Sequence, residues 1–174
     1  MGKKGRPFLH FPEHRSIRKR LNLQGELLLA LMPTIAVMGA LFLVKDLSKQ
    51  ILLFSSLAAS AFLIYLDPRH TVNRVRTLVI AQLGGAGVGW IAFRLLGHGI
   101  LTGGVAMAGT ILLMVLLNAT HPPALSTCLI FAFRVGKESD LILFGLSVLV
   151  LVMMIVLEIS ALWILDRFED NWET

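Results

Sequence analysis

A break between two apolar segments, residues 118–123, carries the sequence's clearest potential for chemistry. Pro122 and Pro123 lack backbone N–H donors and suit the first turn of a helix, so a short helix is expected to begin at about Pro122. If that start lies within a membrane, its unpaired N–H groups and positive dipole end would attract an anion, and His121 would add a titratable donor. Neutral hydrogen bonds would come from Asn118, Thr120, Ser126 and Thr127.

The same residues allow a second interpretation of this break. Two prolines also suit a turn between helices at the membrane interface, where His121 would simply be solvated and no ligand would bind. The residue types alone favour neither interpretation.

Ionisable residues at two other places are candidates for contact with a solute. Arg74 and Arg76 lie in the polar loop 67–77, either as part of a basic cytoplasmic loop or as planar donors that meet an oxyanion at a vestibule. Glu158 lies inside an apolar segment, where a carboxyl group is costly unless it is paired or hydrated. Glu158 either reaches the interface or faces the bundle. In the bundle it would carry protons, as His121 would, and Arg94 is a conceivable partner for its carboxylate.

The remaining residues argue against catalysis. The five histidines are scattered without a metal-binding spacing, and Cys128 is the single cysteine, so no metal site is expected. A Ser126–His121 pair lacks an obvious acid. We therefore expect no catalytic residue and no cofactor, and a membrane-embedded enzyme is the least favoured function.

The composition indicates a protein that resides in a membrane. Apolar residues make up 56% of the chain and charged residues only 16%, against about 25% charged in soluble domains. A bilayer can solvate this much apolar surface, so the sequence predicts an all-α polytopic membrane protein with five or six hydrophobic helices. Four segments are long enough to span, and one or two are short or re-entrant. The segments are 27–44, 51–66, 78–96, 100–117, 122–133 and 141–165.

The segment lengths also suggest an internal repeat. Residues 27–96 and 100–165 each run long–short–long, and 59–66 resembles 126–133 in its pattern of small and large residues. If each copy crosses three times, the two halves are inverted, which is a recurrent design of transporters.

Charge divides the chain into three parts and predicts its orientation. Residues 1–24 are a basic interfacial segment, 25–166 are one transmembrane domain, and 167–174 are a short acidic tail. The Lys/Arg split between the two sides is 12 to 4 if only segment 122–133 re-enters, 11 to 5 if all six segments cross, and 9 to 7 if both short segments re-enter. The first two arrangements place the N-terminus in the cytoplasm. Membrane lipids are the expected partner of the basic segment, and nucleic acid is not.

Glycines form a stripe of small residues in two neighbouring segments. In a membrane helix such a stripe allows close backbone approach, so packing within the bundle is expected, with a homo-oligomer face or a pore lining as alternatives. The stripe comprises Gly84, Gly85, Gly87 and Gly89, followed by Gly103 and Gly104.

Three blocks of the sequence resemble one family. Residues 120–124, Thr-His-Pro-Pro-Ala, are similar to the signature of the HPP family of integral membrane proteins, and 56–68 and 73–85 resemble its other blocks. The resemblance covers roughly residues 27–165. It implies four spanning helices, and some members from plastids and cyanobacteria are linked to nitrite transport. Leu125 stands where the family often has a small residue, which bears on the size of the neighbouring pocket.

Together these observations predict membrane transport of a small inorganic anion, with nitrite implied by the resemblance, through a polar cavity at the His-Pro-Pro break. The expected location is a bacterial or cyanobacterial inner membrane. A structural or assembly protein that packs through its glycine-rich helices is the alternative. The sequence does not distinguish a channel from a carrier.

Overall fold

The computed structural model describes residues 23–44, 51–133 and 139–169. These residues form six α-helices and a short 3-10 turn, Thr71–Asn73, and no strand occurs among them. Residues 1–22, 45–50, 134–138 and 170–174 lie outside the described residues, and with them most of the predicted basic segment 1–24 and of the predicted acidic tail 167–174. The helices are α1 (Leu23–Val44), α2 (Ile51–Leu66), α3 (Val75–Leu96), α4 (Ile100–Leu116), α5 (Ala124–Phe133) and α6 (Asp140–Glu169).

Length and apolar composition would allow two of the described helices to cross a membrane. Two helices, Val75–Leu96 and Asp140–Arg167, are both long and apolar enough to cross a bilayer. The others have 22, 16, 17 and 10 residues in α1, α2, α4 and α5. At 1.5 Å per residue, α5 rises only about 15 Å, half the thickness of the hydrocarbon core. The all-helical class is confirmed for the described residues, whereas four full spans and the inverted repeat stay predictions.

Helix α3 lies at the centre of the packing. It contacts α4, α5 and α6, while α2 packs against α5 and α6 and α1 lies against α2 and α6. The interior contains large apolar side chains such as Leu57, Leu78, Phe131 and Met154, each no more than 2% exposed. The outer face of α4 exposes Leu101, which suits contact with lipid chains.

Two glycines of α3 determine the depth at which α5 begins. A Cβ added to Gly85 would lie 2.8 Å from the carbonyl oxygen of Ala124, and one added to Gly89 would overlap the carbonyl oxygen of Cys128. Only glycine permits this approach of two backbones. Gly85 is the eleventh of the 22 residues of α3, so the first residue of α5 packs against the middle of α3.

The remaining glycines of the stripe have different surroundings. A Cβ at Gly84 would meet the side chain of Leu113, and one at Gly103 would meet the ring of Phe133. Nothing lies within 4 Å of such an atom at Gly87 or Gly104. The stripe is thus partly a contact surface inside the bundle and partly open.

Candidate functional site

The α4–α5 connection turns sharply before the two prolines. Asn118, which follows the C-cap Leu117 of α4, is exposed and has φ 48°, a left-handed conformation that asparagine adopts more readily than most residues. The chain then passes through Thr120, which is exposed, to His121, which is completely buried. The turn therefore carries the imidazole from the surface into the bundle within three residues.

The first turn of α5 uses its own amide protons. The N–H groups of Ala124, Leu125 and Ser126 donate to the carbonyl oxygens of His121, Pro122 and Pro123 at 3.0, 3.0 and 3.1 Å, and α5 begins at Ala124 rather than at Pro122. The prolines themselves have no N–H. The expectation that unpaired N–H groups face a cavity here is therefore wrong, and an anion would need other donors.

The His121 ring is held by two partners on different parts of the chain. Its Nδ1 lies 3.1 Å from the carbonyl oxygen of Val72, and its Nε2 lies 2.8 Å from Oγ of Ser60. A carbonyl oxygen only accepts, so Nδ1 carries a proton and Nε2 of the neutral ring is an acceptor. With 0% exposure the ring is not solvated, so the interfacial-turn interpretation is wrong on this point.

The Ser60 hydroxyl has two acceptors within reach. Its Oγ lies 2.8 Å from Nε2 of His121 and 2.8 Å from the carbonyl oxygen of Ser56, one turn earlier in α2. A hydroxyl has a single proton, so with a neutral ring it cannot fully serve both acceptors. An imidazolium would donate from Nε2 to Ser60, which would then donate to Ser56, and every group would have a partner.

Burial opposes that charged form. The pKa of His121 is lowered from 6.5 to about 4. Desolvation by burial lowers the pKa, and the hydrogen bond to the Val72 carbonyl oxygen offsets part of that effect. The ring is therefore neutral near pH 7. The hydrogen bonds around His121 would suit a protonated ring, but a negative charge nearby would be needed to offset the cost of burying the positive one.

Further buried polar side chains extend the arrangement into α3 and α5. Gln82 donates from Nε2 to Oγ1 of Thr127 at 2.6 Å, and Ser56 donates from Oγ to Oε1 of Gln82 at 3.4 Å. All five side chains are 0% exposed. We call this set the polar network: Ser56, Ser60, Gln82, His121 and Thr127.

Sequence reasoning found only part of the polar network. It identified His121 and Thr127 as site residues but not Ser56, Ser60 or Gln82. A signal was present, because Ser56 and Ser60 lie four residues apart in an apolar helix, and polar residues in such helices usually face the bundle.

The other predicted ligands lie outside the polar network. Pro123 is buried and Ser126 is half-buried, whereas Pro122, Arg74 and Arg76 are exposed. Arg74 and Arg76 flank the first residue of α3, at the end of the bundle that also holds Val72.

Glu158 is a separate buried group on α6. It is 4% exposed, and its Oε2 has no hydrogen-bond partner among the residues that the structure describes. Arg94, the conceivable partner, instead places its guanidinium carbon 5.8 Å from the ring centroid of Trp90 on its own helix. A role for Glu158 in proton coupling stays a prediction.

A cleft of about 220 Å³ opens beside Pro122 at the end of α2. Its polar side chains are those of Asp67, His70 and Asn73, from the α2–α3 connection. Within the described ranges no three histidine, cysteine or acidic side chains come together as a metal site. The remaining lining residues are Leu63, Leu66 and Val72.

The family model described as HPP, transmembrane region, matches residues 19–171. The chain belongs to the HPP family. The match extends over all six helices, so the family resemblance noted in the sequence is confirmed. A comparison with curated proteins found no match, and neither did a comparison with solved structures. In this HPP-family chain the signature histidine joins the polar network, the first proline lines the cleft, and the second is buried before α5.

Proposed function

We propose that this HPP-family protein moves a small inorganic anion across the membrane, and that nitrite is the first substrate to test. The observation that carries the proposal is the completely buried His121 ring, held by a hydroxyl and a carbonyl oxygen. Nitrite itself comes from the family resemblance, and the residues argue only for a small anion.

Charge balance at the His121 ring would link anion binding to proton binding. Charging His121 inside the bundle costs about 3 kcal/mol, from a pKa lowered from 6.5 to about 4. A unit negative charge about 4 Å away would return about 4 kcal/mol at an effective dielectric constant of about 20. The two terms are similar in size, so a proton and an anion would bind together although neither binds well alone. Anion movement would then be coupled to protons.

Exposed basic side chains support the approach of an anion from one end. Arg74 and Arg76 are exposed at the start of α3, and Val72, the partner of His121, lies just before them. Positive charge at the mouth of a pathway raises the local concentration of anions. Since α5 begins against the middle of α3, the break that carries His121 lies inside the bundle, away from the ends of the long helices.

The same proposal includes a topology of six helices that alternate in direction, with α1, α3, α4 and α6 as full spans and the N-terminus in the cytoplasm. The Arg69–Asp166 ion pair, 2.8 Å, supports it, because it places the end of α6 beside the α2–α3 connection. An arrangement in which α5 re-enters would put these two residues on opposite sides. Cys128 is buried, so thiol labelling of a Lys4→Cys variant from either side of the membrane would report the side of the N-terminus.

The transport experiment uses nitrite uptake into proteoliposomes. Wild-type protein should give uptake that rises as the outside pH falls from 7.5 to 5.5, and His121→Gln and Ser60→Ala should abolish most of it. His98→Gln and Ser160→Ala are matched controls, because His98 is an exposed histidine and Ser160 makes the same bond to a carbonyl four residues earlier, at 2.7 Å.

Two outcomes would contradict the proposal in different ways. Uptake that is unaffected by His121→Gln would mean that the anion does not pass through the polar network. A wild-type protein that is folded in the liposomes but carries no anion would leave the alternative of a structural or assembly protein.

A further inference from the structure

Asn73, one of the residues that line the cleft at the end of α2, has a side-chain amide whose orientation is fixed. Asn73 donates from Nδ2 to the carbonyl oxygens of Leu63 at 3.0 Å and of Asp67 at 2.8 Å. These two bonds define which end of the amide is nitrogen. The remaining atom, Oδ1, has no hydrogen-bond partner within the described part of the chain, although Asn73 is only 1% exposed.

Asp67, which lines the same cleft, also carries a side-chain oxygen without a hydrogen-bond partner among the described residues. Oδ1 of Asp67 is buried and has no hydrogen-bond partner in the ranges described. Asp67 follows directly on the last residue of α2, where the helix dipole is negative. Buried acceptors without donors are costly and uncommon, so two of them on residues that line one cleft of about 220 Å³ call for an explanation.

We propose that this cleft binds a monovalent metal cation of the sodium type, held by the carboxylate of Asp67 and the amide oxygen of Asn73. Both groups are hard oxygen ligands, and the carboxylate excludes an anion from the same place. A single carboxylate matches a single positive charge, whereas calcium sites usually gather several acidic side chains. Helix ends and irregular backbone beside them are recurrent positions for sodium in transporters.

The cation site connects with the polar network through one residue. Val72 lines the cleft, and its carbonyl oxygen accepts from Nδ1 of His121. A bound cation would neutralise Asp67 and so remove negative charge from the approach to His121. Binding of the cation stands on the cleft alone, while its role as a coupling ion rests on the proposed anion transport.

The binding test measures radioactive ²²Na⁺ on the purified full-length protein in detergent micelles. Wild-type protein should show saturable binding that unlabelled Na⁺ displaces and choline does not, and Asp67→Asn should lose at least about tenfold in affinity, as expected for removal of a charged ligand. Asp166→Asn is the matched control, because it removes an exposed carboxylate at the same end of the bundle. Absence of saturable binding to the wild type, or equal binding to Asp67→Asn, would overturn the proposal.

A second measurement keeps the test independent of how well the variant folds. The apparent unfolding midpoint of the wild type should rise by about 3 °C in 100 mM NaCl over choline chloride if the dissociation constant is about 10 mM. Equal midpoints in the two salts would indicate that an ordered water bridges the two oxygens, and the cation site would be rejected. Sodium binding without nitrite uptake would leave the site standing and contradict the transport proposal, whereas uptake without sodium binding would do the reverse.

Discussion

Acidification should weaken the fold through His121 in a defined pH window. In the unfolded chain the imidazole titrates near its ordinary pKa of 6.5, whereas burial lowers the pKa of the folded ring to about 4. Between these values the unfolded chain binds more protons than the native protein. The stability linked to His121 is therefore fully present above pH 6.5 and is lost as the pH falls towards 4.

The size of this loss follows from the shift. A difference of one pKa unit corresponds to about 1.4 kcal/mol, so the full window is worth about 3 kcal/mol. Because the ring is completely buried, solvent screening removes little of it.

The assay is reversible unfolding from a mild detergent into a denaturing one, followed by tryptophan fluorescence at pH 7.5, 6.0 and 4.5. Wild-type protein should lose about 2.5 kcal/mol more than His121→Gln between the first and last pH, because pH 4.5 still lies above the folded pKa of about 4. Other titrating groups are common to both proteins and cancel in this difference. Parallel curves for the two proteins would refute the reasoning, because they would mean that His121 titrates normally in the folded state.

Three further predictions concern packing and buried polar groups. Gly89→Ala should destabilise the protein by about 2 kcal/mol or more, because the added methyl overlaps the carbonyl oxygen of Cys128, whereas Gly87→Ala should be neutral or stabilising by up to about 1 kcal/mol. Thermal unfolding of both variants measures this difference, and equal effects would argue against the close α3–α5 contact. Gln82→Leu should lower the free energy of unfolding by about 1–3 kcal/mol, because it leaves Thr127 Oγ1 and Ser56 Oγ without their partner in a buried site. A decrease below about 0.5 kcal/mol in the same assay would mean that the polar network contributes little to stability. Glu158→Gln should leave the unfolding free energy at pH 7.5 unchanged or raised, because it removes a buried carboxylate with an unpartnered oxygen, and a large loss would show that the carboxylate is paired in the folded protein.

The sequence predicted the helices well because apolar length determines them. The segments 51–66, 78–96 and 100–117 correspond to Ile51–Leu66, Val75–Leu96 and Ile100–Leu116, with differences of at most three residues. Uninterrupted apolar sequence between charged breaks has few alternatives to a helix in a bilayer, since every backbone polar group must be paired internally.

The details of the break could not be predicted in the same way. The two prolines indicated a helix start, but whether the next amides are unpaired depends on the turn that the chain makes, and here Ala124, Leu125 and Ser126 all bond to the preceding residues. A sequence motif does not specify that geometry. The prediction of unpaired N–H groups that attract an anion was therefore wrong, while the prediction of a new short helix was right.

The polar network was hidden for a different reason. Ser60 and His121 are 61 residues apart in sequence, and Gln82 and Thr127 are 45 apart. Such contacts depend on how α2, α3 and α5 pack, which hydropathy does not specify. Periodicity predicts that these side chains face inward but does not predict their partners.

The central claim is that an anion and a proton bind together at His121. Calorimetric titration of the purified protein with nitrite at pH 6.0, repeated in two buffers of different ionisation enthalpy, measures the protons taken up with each anion. The wild type should take up about one proton per bound anion, and His121→Gln should take up about none. Nitrite that binds to the wild type without proton uptake would contradict it.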